Sequence, residues 1–262
     1  MEFSVLGLVG PAGSGKDLVA DWFVSEKRFV KVAFADPMKR FVLRTFPTVT
    51  VEQLWGPSEE RNRELEVSSI WWFETIGHFG EGSKELVQDV LEDGIRIAAY
   101  LKLHEWLTWL HKTYPNKISV RVILQTLGTE WGREVDPLLW SRYAHKVASK
   151  IKEGFQYTQE KGLITNLGPA FQIPGVVIPD HRFKNEIALT QSSGGHVIRL
   201  RRLANEGGEG NVGIQGHPSE LEMRSIPDQE FDLVLEFEEG VEKVYEKLRD
   251  AWETKGWIRP PS

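Results

Sequence analysis

The apolar positions fall into short runs separated by longer stretches of helical spacing. Residues 3–9 are an apolar run that ends at Gly10, as a buried strand does. Residues 17–26 then repeat apolar side chains at helical intervals, and residues 29–35 predict a second strand. Pro37 opens a helix through Phe46, because proline is tolerated in a helix's first turn. Residues 48–66 are polar and turn-rich, and residues 83–114 carry the longest helical spacing, with a break expected near Gly94. Two more helices are predicted over 121–133 and 138–153, then a loop or hairpin over 157–174. Residues 176–178 predict a third strand, 183–191 a helix, and 196–200 a strand entered through the Gly194-Gly195 turn. Residues 204–218 are glycine-rich and polar, the composition of a mobile segment. A last strand over 231–237 and a helix over 241–254 close the pattern, ahead of a frayed tail from Arg259.

Strands that alternate with helices predict an α/β fold: a mainly parallel sheet with helices on both faces. Neither an internal repeat nor a linker interrupts the chain. It is expected to form a single domain over 1–262, with a helical insertion at about 67–118 and a lid at about 201–220. In such sheets ligands bind at the carboxyl ends of the strands, so the segments after the first three strands are where chemistry belongs.

The composition narrows that chemistry. With 40% hydrophobic and 27% charged residues, the chain has an ordinary globular balance, and its length allows a substantial core. The net charge of −6 argues against a surface built for a nucleic-acid backbone, while leaving room for a local anion pocket. There are no cysteines, which excludes disulfides and thiolate metal sites and fits a reducing compartment. The start Met1-Glu-Phe-Ser-Val-Leu6 lacks the features of a signal peptide, and no run has the length of a membrane span, so a cytoplasmic location is expected. Ten tryptophans are many, and most of them are expected to fill the core.

Gly10-Pro-Ala-Gly-Ser-Gly-Lys16 matches the glycine-rich phosphate loop, in the context that loop requires: a strand before it and a helix after it. This makes the expected fold one of P-loop NTPase type. Gly10, Ala12, Gly13, Ser14 and Gly15 would surround phosphate oxygens with backbone N–H groups, and Lys16 would reach the β- and γ-phosphates. Asp17 stands where Ser or Thr normally ligates magnesium; its carboxylate would hold the metal directly or through water. A second carboxylate, Asp180, ends the third strand in Val176-Val-Ile-Pro-Asp180 and is expected on the metal's other side. Arg182 and Lys184 follow at once and suit phosphates.

Four segments together, in order, carry a resemblance: Gly13-Ser-Gly-Lys-Asp17, Phe34-Ala-Asp-Pro-Met-Lys39, Leu124-Gln-Thr-Leu-Gly-Thr-Glu-Trp-Gly-Arg133, and Val177-Ile-Pro-Asp-His-Arg-Phe-Lys-Asn-Glu186. With His217-Pro-Ser-Glu220, the chain from about residue 3 to residue 237 resembles the deoxynucleoside monophosphate kinases of bacteriophages. In that family Asp after the loop Lys is usual. The resemblance implies ATP and Mg2+ as cofactors, a deoxynucleoside monophosphate as acceptor and, for a phage-encoded chain, the host cytoplasm. It implies that Asp36 and Lys39 sit where the acceptor enters, that Arg61 or Arg63 binds its phosphate, and that Gln125, Thr129 and Arg133 line its pocket. The spacing 125, 129, 133 independently places those three on one face of an α-helix. Trp71-Trp72 and the 83–114 helices match no motif of the family; they are read as core, with a lineage-specific insertion over the acceptor site or a homodimer surface as the other readings.

Phosphoryl transfer needs positioning and charge neutralisation more than covalent chemistry. Lys16, Asp17, Asp180, Arg182 and Arg201 are therefore the expected catalytic set. Arg199 and Arg202 would join the donor site as a lid over 201–220 closes on ATP and excludes water. Two alternatives stand beside this reading. One is another small-molecule kinase of the phosphomevalonate or dephospho-coenzyme A type. The other is a nucleotide-binding protein without kinase activity.

Overall fold

The computed structural model describes residues 3–11, 13–91, 96–168, 170–202, 222–223, 225–237 and 241–255. The expected break at Gly94, most of the 201–220 lid, the His217-Pro-Ser-Glu220 segment, the tail from Arg259 and Ala12 of the phosphate loop lie outside the described residues. The chain divides into two compact units: residues 1–33, 144–159 and 163–262, and residues 34–143 with 160–162. The expected insertion at 67–118 falls wholly within the second.

The first unit is built on a five-stranded sheet. Its strands are β1 (Ser4–Val9), β2 (Val30–Lys31), β7 (Gly175–His181), β8 (His196–Arg202) and β9 (Leu233–Phe237). They lie in the order β2-β7-β1-β8-β9, and every pairing is parallel. Alternation along the strands divides their side chains between two clusters. Leu6 and Leu8 of β1, with Ile198 and Leu200 of β8, pack with α1 (Lys16–Lys27) and the C-terminal helix α10 (Val241–Lys255). Val9 and Val197 turn the other way and pack with Ile187 of α9 (Lys184–Ser192). Helices therefore cover both faces, and β1 and β7, buried at nearly every position, read as near-continuous apolar runs. The second strand is shorter than the pattern predicts: only Val30–Lys31 is regular, at the sheet's edge. Where the pattern predicts a loop or hairpin over 157–174, β5 (Phe155–Thr158) and β6 (Gly162–Asn166) pair.

The second unit is mainly helical. It contains α2 (Asp36–Thr45), α3 (Val51–Trp55), α4 (Ser58–Asn62), α5 (Ser69–Val90), α6 (Arg96–Thr113) and α7 (Val120–Thr126). Strands β3 (Glu64–Glu66) and β4 (Lys117–Ser119) pair antiparallel there, which the sequence pattern did not anticipate. A helix α8 (Leu139–Lys152) follows. Aromatic rings form the centre: Phe46 lies 5.6 Å from Trp71 and 6.3 Å from Trp106, and Trp71 meets Trp72 edge-on at 4.9 Å. Trp71, Trp72 and Trp106 are buried, which bears out the core reading of those residues.

Two helices differ from expectation. α5 begins at Ser69, well before residue 83, with the Ser68 hydroxyl accepting from the Trp71 N–H. The expected α-helix over 121–133 stops at Thr126 and continues as a π-helix over Leu127–Arg133. The Trp140 indole N–H donates to the Gly128 carbonyl at 3.0 Å. An α-helix would pair that carbonyl with the amide of residue 132. A side chain entering the ladder in this way is a recognised cause of a widened turn.

Candidate active site

The loop after β1 leaves the sheet at its carboxyl edge, where β1 has the third strand in sequence, β7, on one side and the fourth, β8, on the other. Gly13 and Gly15 take φ values of 77° and 81°, conformations glycine adopts without steric cost. The Ser14 N–H closes the turn onto the Pro11 carbonyl at 3.1 Å. No side chain caps the N-terminus of α1, so the helix presents its positive end to the loop. The Ser14 hydroxyl is buried and has no hydrogen-bond partner among the described residues. A buried hydroxyl without a partner costs about 1–3 kcal/mol, and a phosphate oxygen in the loop would satisfy it. The Lys16 ammonium folds back over the same loop and donates to the Gly10 and Pro11 carbonyls at 2.5 and 2.7 Å.

Asp17, in the first turn of α1, accepts from the Lys31 ammonium of β2 at 2.9 Å, and Asp21 does so at 3.1 Å. The Asp17 side chain is 85% exposed, so solvent and a ligand can both reach it. Burial pulls the Lys31 pKa down, but hydrogen bonds and charge from Asp17 and Asp21 outweigh it and hold the ammonium above its ordinary value. Lys31 is a residue that the sequence pattern passed over.

Asp180 is the one position of β7 that is partly open; its six companions are buried. Beside it the register shifts: Gly7 of β1 pairs with Ile178 and Val9 with His181, so β7 carries one residue more than β1 over that step. The turn that follows is held by Glu186, which is buried and accepts from the backbone N–H groups of Arg182 and Phe183 at 2.9 and 3.1 Å. The Arg182 side chain is exposed. Among the described residues no group of three or more His, Cys, Asp or Glu is placed to hold a metal ion. Two carboxylates completed by phosphate oxygens and water suit magnesium, which is rarely caged by protein ligands alone.

Arg199 and Arg201 are engaged inside the first unit. Arg199 donates to the Ile226 carbonyl at 2.5 Å and to Asp228 at 3.0 Å, with its guanidinium 5.0 Å from the Phe231 ring. Arg201 meets both Asp228 oxygens at 2.9 and 3.1 Å and Glu236 at 2.6 Å. For either to reach a nucleotide, these bonds must be exchanged. Arg202 is half-buried at the end of β8.

The remaining expected residues lie in the second unit. Asp36 is fully buried in the first turn of α2. One turn on, Arg40 is 3% exposed and donates to Tyr143 at 2.7 Å and Asp89 at 3.2 Å. Burial pushes the Tyr143 phenol up, with Arg40 pulling the other way. Arg40 was not singled out from the sequence, since nothing in the pattern marks a helix arginine for burial. The Lys39 ammonium lies 5.5 Å from the Trp55 ring. Arg61 is pinned by its own loop, to the carbonyls of Leu54 and Gly56 at 3.3 and 3.2 Å and the Ser58 hydroxyl at 3.0 Å, while Arg63 is exposed. Gln125, Thr129 and Arg133 are half-buried, on the stretch that passes from α7 into the π-helix. The Thr129 hydroxyl donates to the Gln125 carbonyl at 2.9 Å and also meets Glu130.

The model of the family described as Deoxynucleotide monophosphate kinase matches residues 4–248. The chain belongs to that family. It is 26% identical over 244 residues to the "Putative deoxynucleotide monophosphate kinase" of Acanthamoeba polyphaga mimivirus, covering 93% of each chain. It is also 21% identical over 263 residues to the deoxynucleotide monophosphate kinase of Enterobacteria phage T4, covering 93% of this chain and 96% of that one. As a member of this family the protein is a phosphotransferase that phosphorylates deoxynucleoside monophosphates. This decides between the rival readings of the loop, setting aside the phosphomevalonate and coenzyme A types and the non-catalytic binder. No described helix of this kinase is long and apolar enough to cross a membrane.

Proposed function

We propose that the phosphoryl donor is ATP, bound with Mg2+ on the Gly10–Lys16 loop, and that its γ-phosphoryl group passes to a deoxynucleoside 5′-monophosphate held by residues of the second unit. The observation that carries the donor assignment is the buried, unpartnered Ser14 hydroxyl inside a glycine-rich turn at a helix N-terminus. In this reading Lys16 exchanges its loop carbonyls for the β- and γ-phosphates. Asp17 and Asp180 hold the metal from α1 and β7, with Arg182 beside them. When bound there, magnesium would neutralise charge on the donor phosphates and help fix the donor's orientation.

On the acceptor side, Gln125 and Thr129 have the donors and acceptors needed to read a base edge. Arg133, Lys39 and one of Arg61 and Arg63 answer the acceptor's negative charge, and Asp36 orients the groups around it. The acceptor is already an ionised phosphate, so no strong general base is required. Arg199 and Arg201 act on the donor phosphates only after leaving the partners described above, and Arg202 joins them there.

ADP release from ATP and Mg2+ is to be measured against a panel of deoxy- and ribonucleoside monophosphates, with Lys16→Ala as control. Turnover that requires a deoxynucleoside monophosphate, disappears with EDTA and falls by about 10²–10³-fold in the variant is the expected result. Turnover that persists in EDTA removes the metal assignment, and turnover indifferent to Lys16 removes the loop assignment.

A further inference from the structure

We infer that His181, held by Thr190 and His145, is a positioning residue for Asp180: it maintains the irregular step in β7 that turns the Asp180 carboxylate out of an otherwise buried strand. This rests on the reading of Asp180 as a carboxylate on the metal side of the donor.

The extra residue in β7 falls at Pro179–Asp180, opposite Leu8. Proline has no N–H to give to a neighbouring strand and is found inside sheets at such bulges. A bulge disrupts the ladder and leaves backbone groups seeking partners. Here the His181 ring turns back along its own strand, and Nδ1 lies 3.3 Å from the Ile178 carbonyl. A carbonyl can only accept, so the proton is on Nδ1 and Nε2 carries the lone pair. Nε2 lies 2.8 Å from the Thr190 hydroxyl, which therefore donates to it. The Thr190 oxygen in turn accepts from His145 Nε2 at 3.0 Å. The chain runs in one direction, from His145 on α8 through Thr190 on α9 and His181 to the backbone at the bulge.

Packing fixes the ring as firmly as the hydrogen bonds do. His181 and Thr190 are both fully buried. A Cβ added to Gly7 would lie 2.7 Å from His181 Cε1, so the ring occupies the space a side chain on β1 would need. β1 is the strand that leads into the phosphate loop, so the same imidazole contacts the strand before the loop and the strand that bears Asp180. The tautomer of the ring is set by its partners, the Ile178 carbonyl and the Thr190 hydroxyl. On the far side of Asp180, Glu186 takes the N–H groups of Arg182 and Phe183. Asp180 is thus bracketed by groups held at Ile178, His181, Arg182 and Phe183.

The test is Mn2+ binding to the complex with ADP, read by electron paramagnetic resonance, alongside metal-free ADP affinity and circular dichroism. Thr190→Val keeps the volume and removes the hydroxyl; Thr190→Ser restores it. His181→Asn keeps a donor at the Nδ1 position, whereas His181→Gln does not. Thr190→Val and His181→Gln are expected to weaken Mn2+ binding about 10-fold, the lower end of the usual loss when a ligand's support is removed. Metal-free ADP affinity stays unchanged, and Thr190→Ser and His181→Asn stay near the parent. Folded Thr190→Val and His181→Gln that bind Mn2+ as the parent does, while Asp180→Asn binds it weakly, overturn the inference and leave the Asp180 reading standing. If Asp180→Asn also binds Mn2+ normally, that reading falls and the inference with it. Should the variants fail to fold, 15N spectra of the parent decide: an Nδ1-protonated His181 is expected, and an Nε2-protonated ring overturns the proposal.

Discussion

Lys16 donates to two carbonyls of its own loop, and Asp17 is held by a lysine on the neighbouring strand. Both charged groups of the Gly-Lys-Asp segment thus have protein partners, and the proposed nucleotide binding is an exchange of partners more than a filling of empty space. His181 offers a cleaner residue-scale prediction because its environment is closed. Its folded pKa, about 3, lies well below the ordinary histidine value of 6.5. Between those values the unfolded chain binds the proton and the folded one does not, so stability rises with pH across the window. The contribution is complete above about pH 6.5 and is lost as pH falls toward 3, with a slope of up to about 1.4 kcal/mol per pH unit. Urea unfolding at pH 7 and pH 5 should show this loss in the parent and a smaller one in His181→Asn. An equal loss in both would assign the acid sensitivity to other groups.

At the scale of elements, α5 shows how packing overrides local preference. Gly77, Gly80 and Gly82 stand in its interior, each costing roughly 1 kcal/mol relative to alanine. Their surroundings differ. A Cβ at Gly77 or Gly80 meets nothing within 4 Å, whereas one at Gly82 would lie 2.2 Å from the Thr45 hydroxyl of α2. Gly82 is therefore where α5 approaches α2 most closely, and the aromatic cluster around Phe41, Phe46, Trp71 and Trp106 holds the pair together. Gly77→Ala and Gly80→Ala should each raise stability by about 0.5–1 kcal/mol. Gly82→Ala should lower it by about 1–3 kcal/mol through overpacking. Chemical denaturation of the three variants checks the signs, and a stabilising Gly82→Ala would remove the close-approach explanation. The π-helix is the parallel case: the 125, 129, 133 spacing suits an α-helix, but an indole from outside the segment takes one of its carbonyls.

For the whole molecule, the residues proposed for the donor and those proposed for the acceptor belong to different compact units of the chain. Binding of the two substrates should therefore respond to different substitutions. Gln125→Ala is expected to raise KM for the deoxynucleoside monophosphate about 10-fold or more, as the loss of one good base-edge contact does, with ATP-analogue affinity in the absence of acceptor unchanged. Lys16→Ala should show the reverse pattern in a binding assay, weakening the analogue and sparing the acceptor. Calorimetric titration of each ligand alone checks both, and a Gln125→Ala variant that loses only ATP affinity would move Gln125 out of the acceptor site.

Taken alone, the amino-acid sequence determined the alternation of strands and helices, the phosphate loop with its flanking elements, the acidic end of β7 and the family. Each of these is a local pattern or a contiguous motif, so neighbours in sequence suffice to specify it. Tertiary structure alone decided what depends on distant residues. Three glycines lie within α5 because α2 and the aromatic cluster hold that helix. The 127–133 segment widens because Trp140 enters its ladder. Arg40 is buried between Asp89 and Tyr143, and Arg199 and Arg201 are gathered by Asp228. Thr190 lies nine residues from His181 but 45 from His145, and the three carry no shared motif. Only the packing of α8 and α9 brings their side chains to the strand that bears Asp180, because a buried imidazole has to find its partners wherever the fold places them.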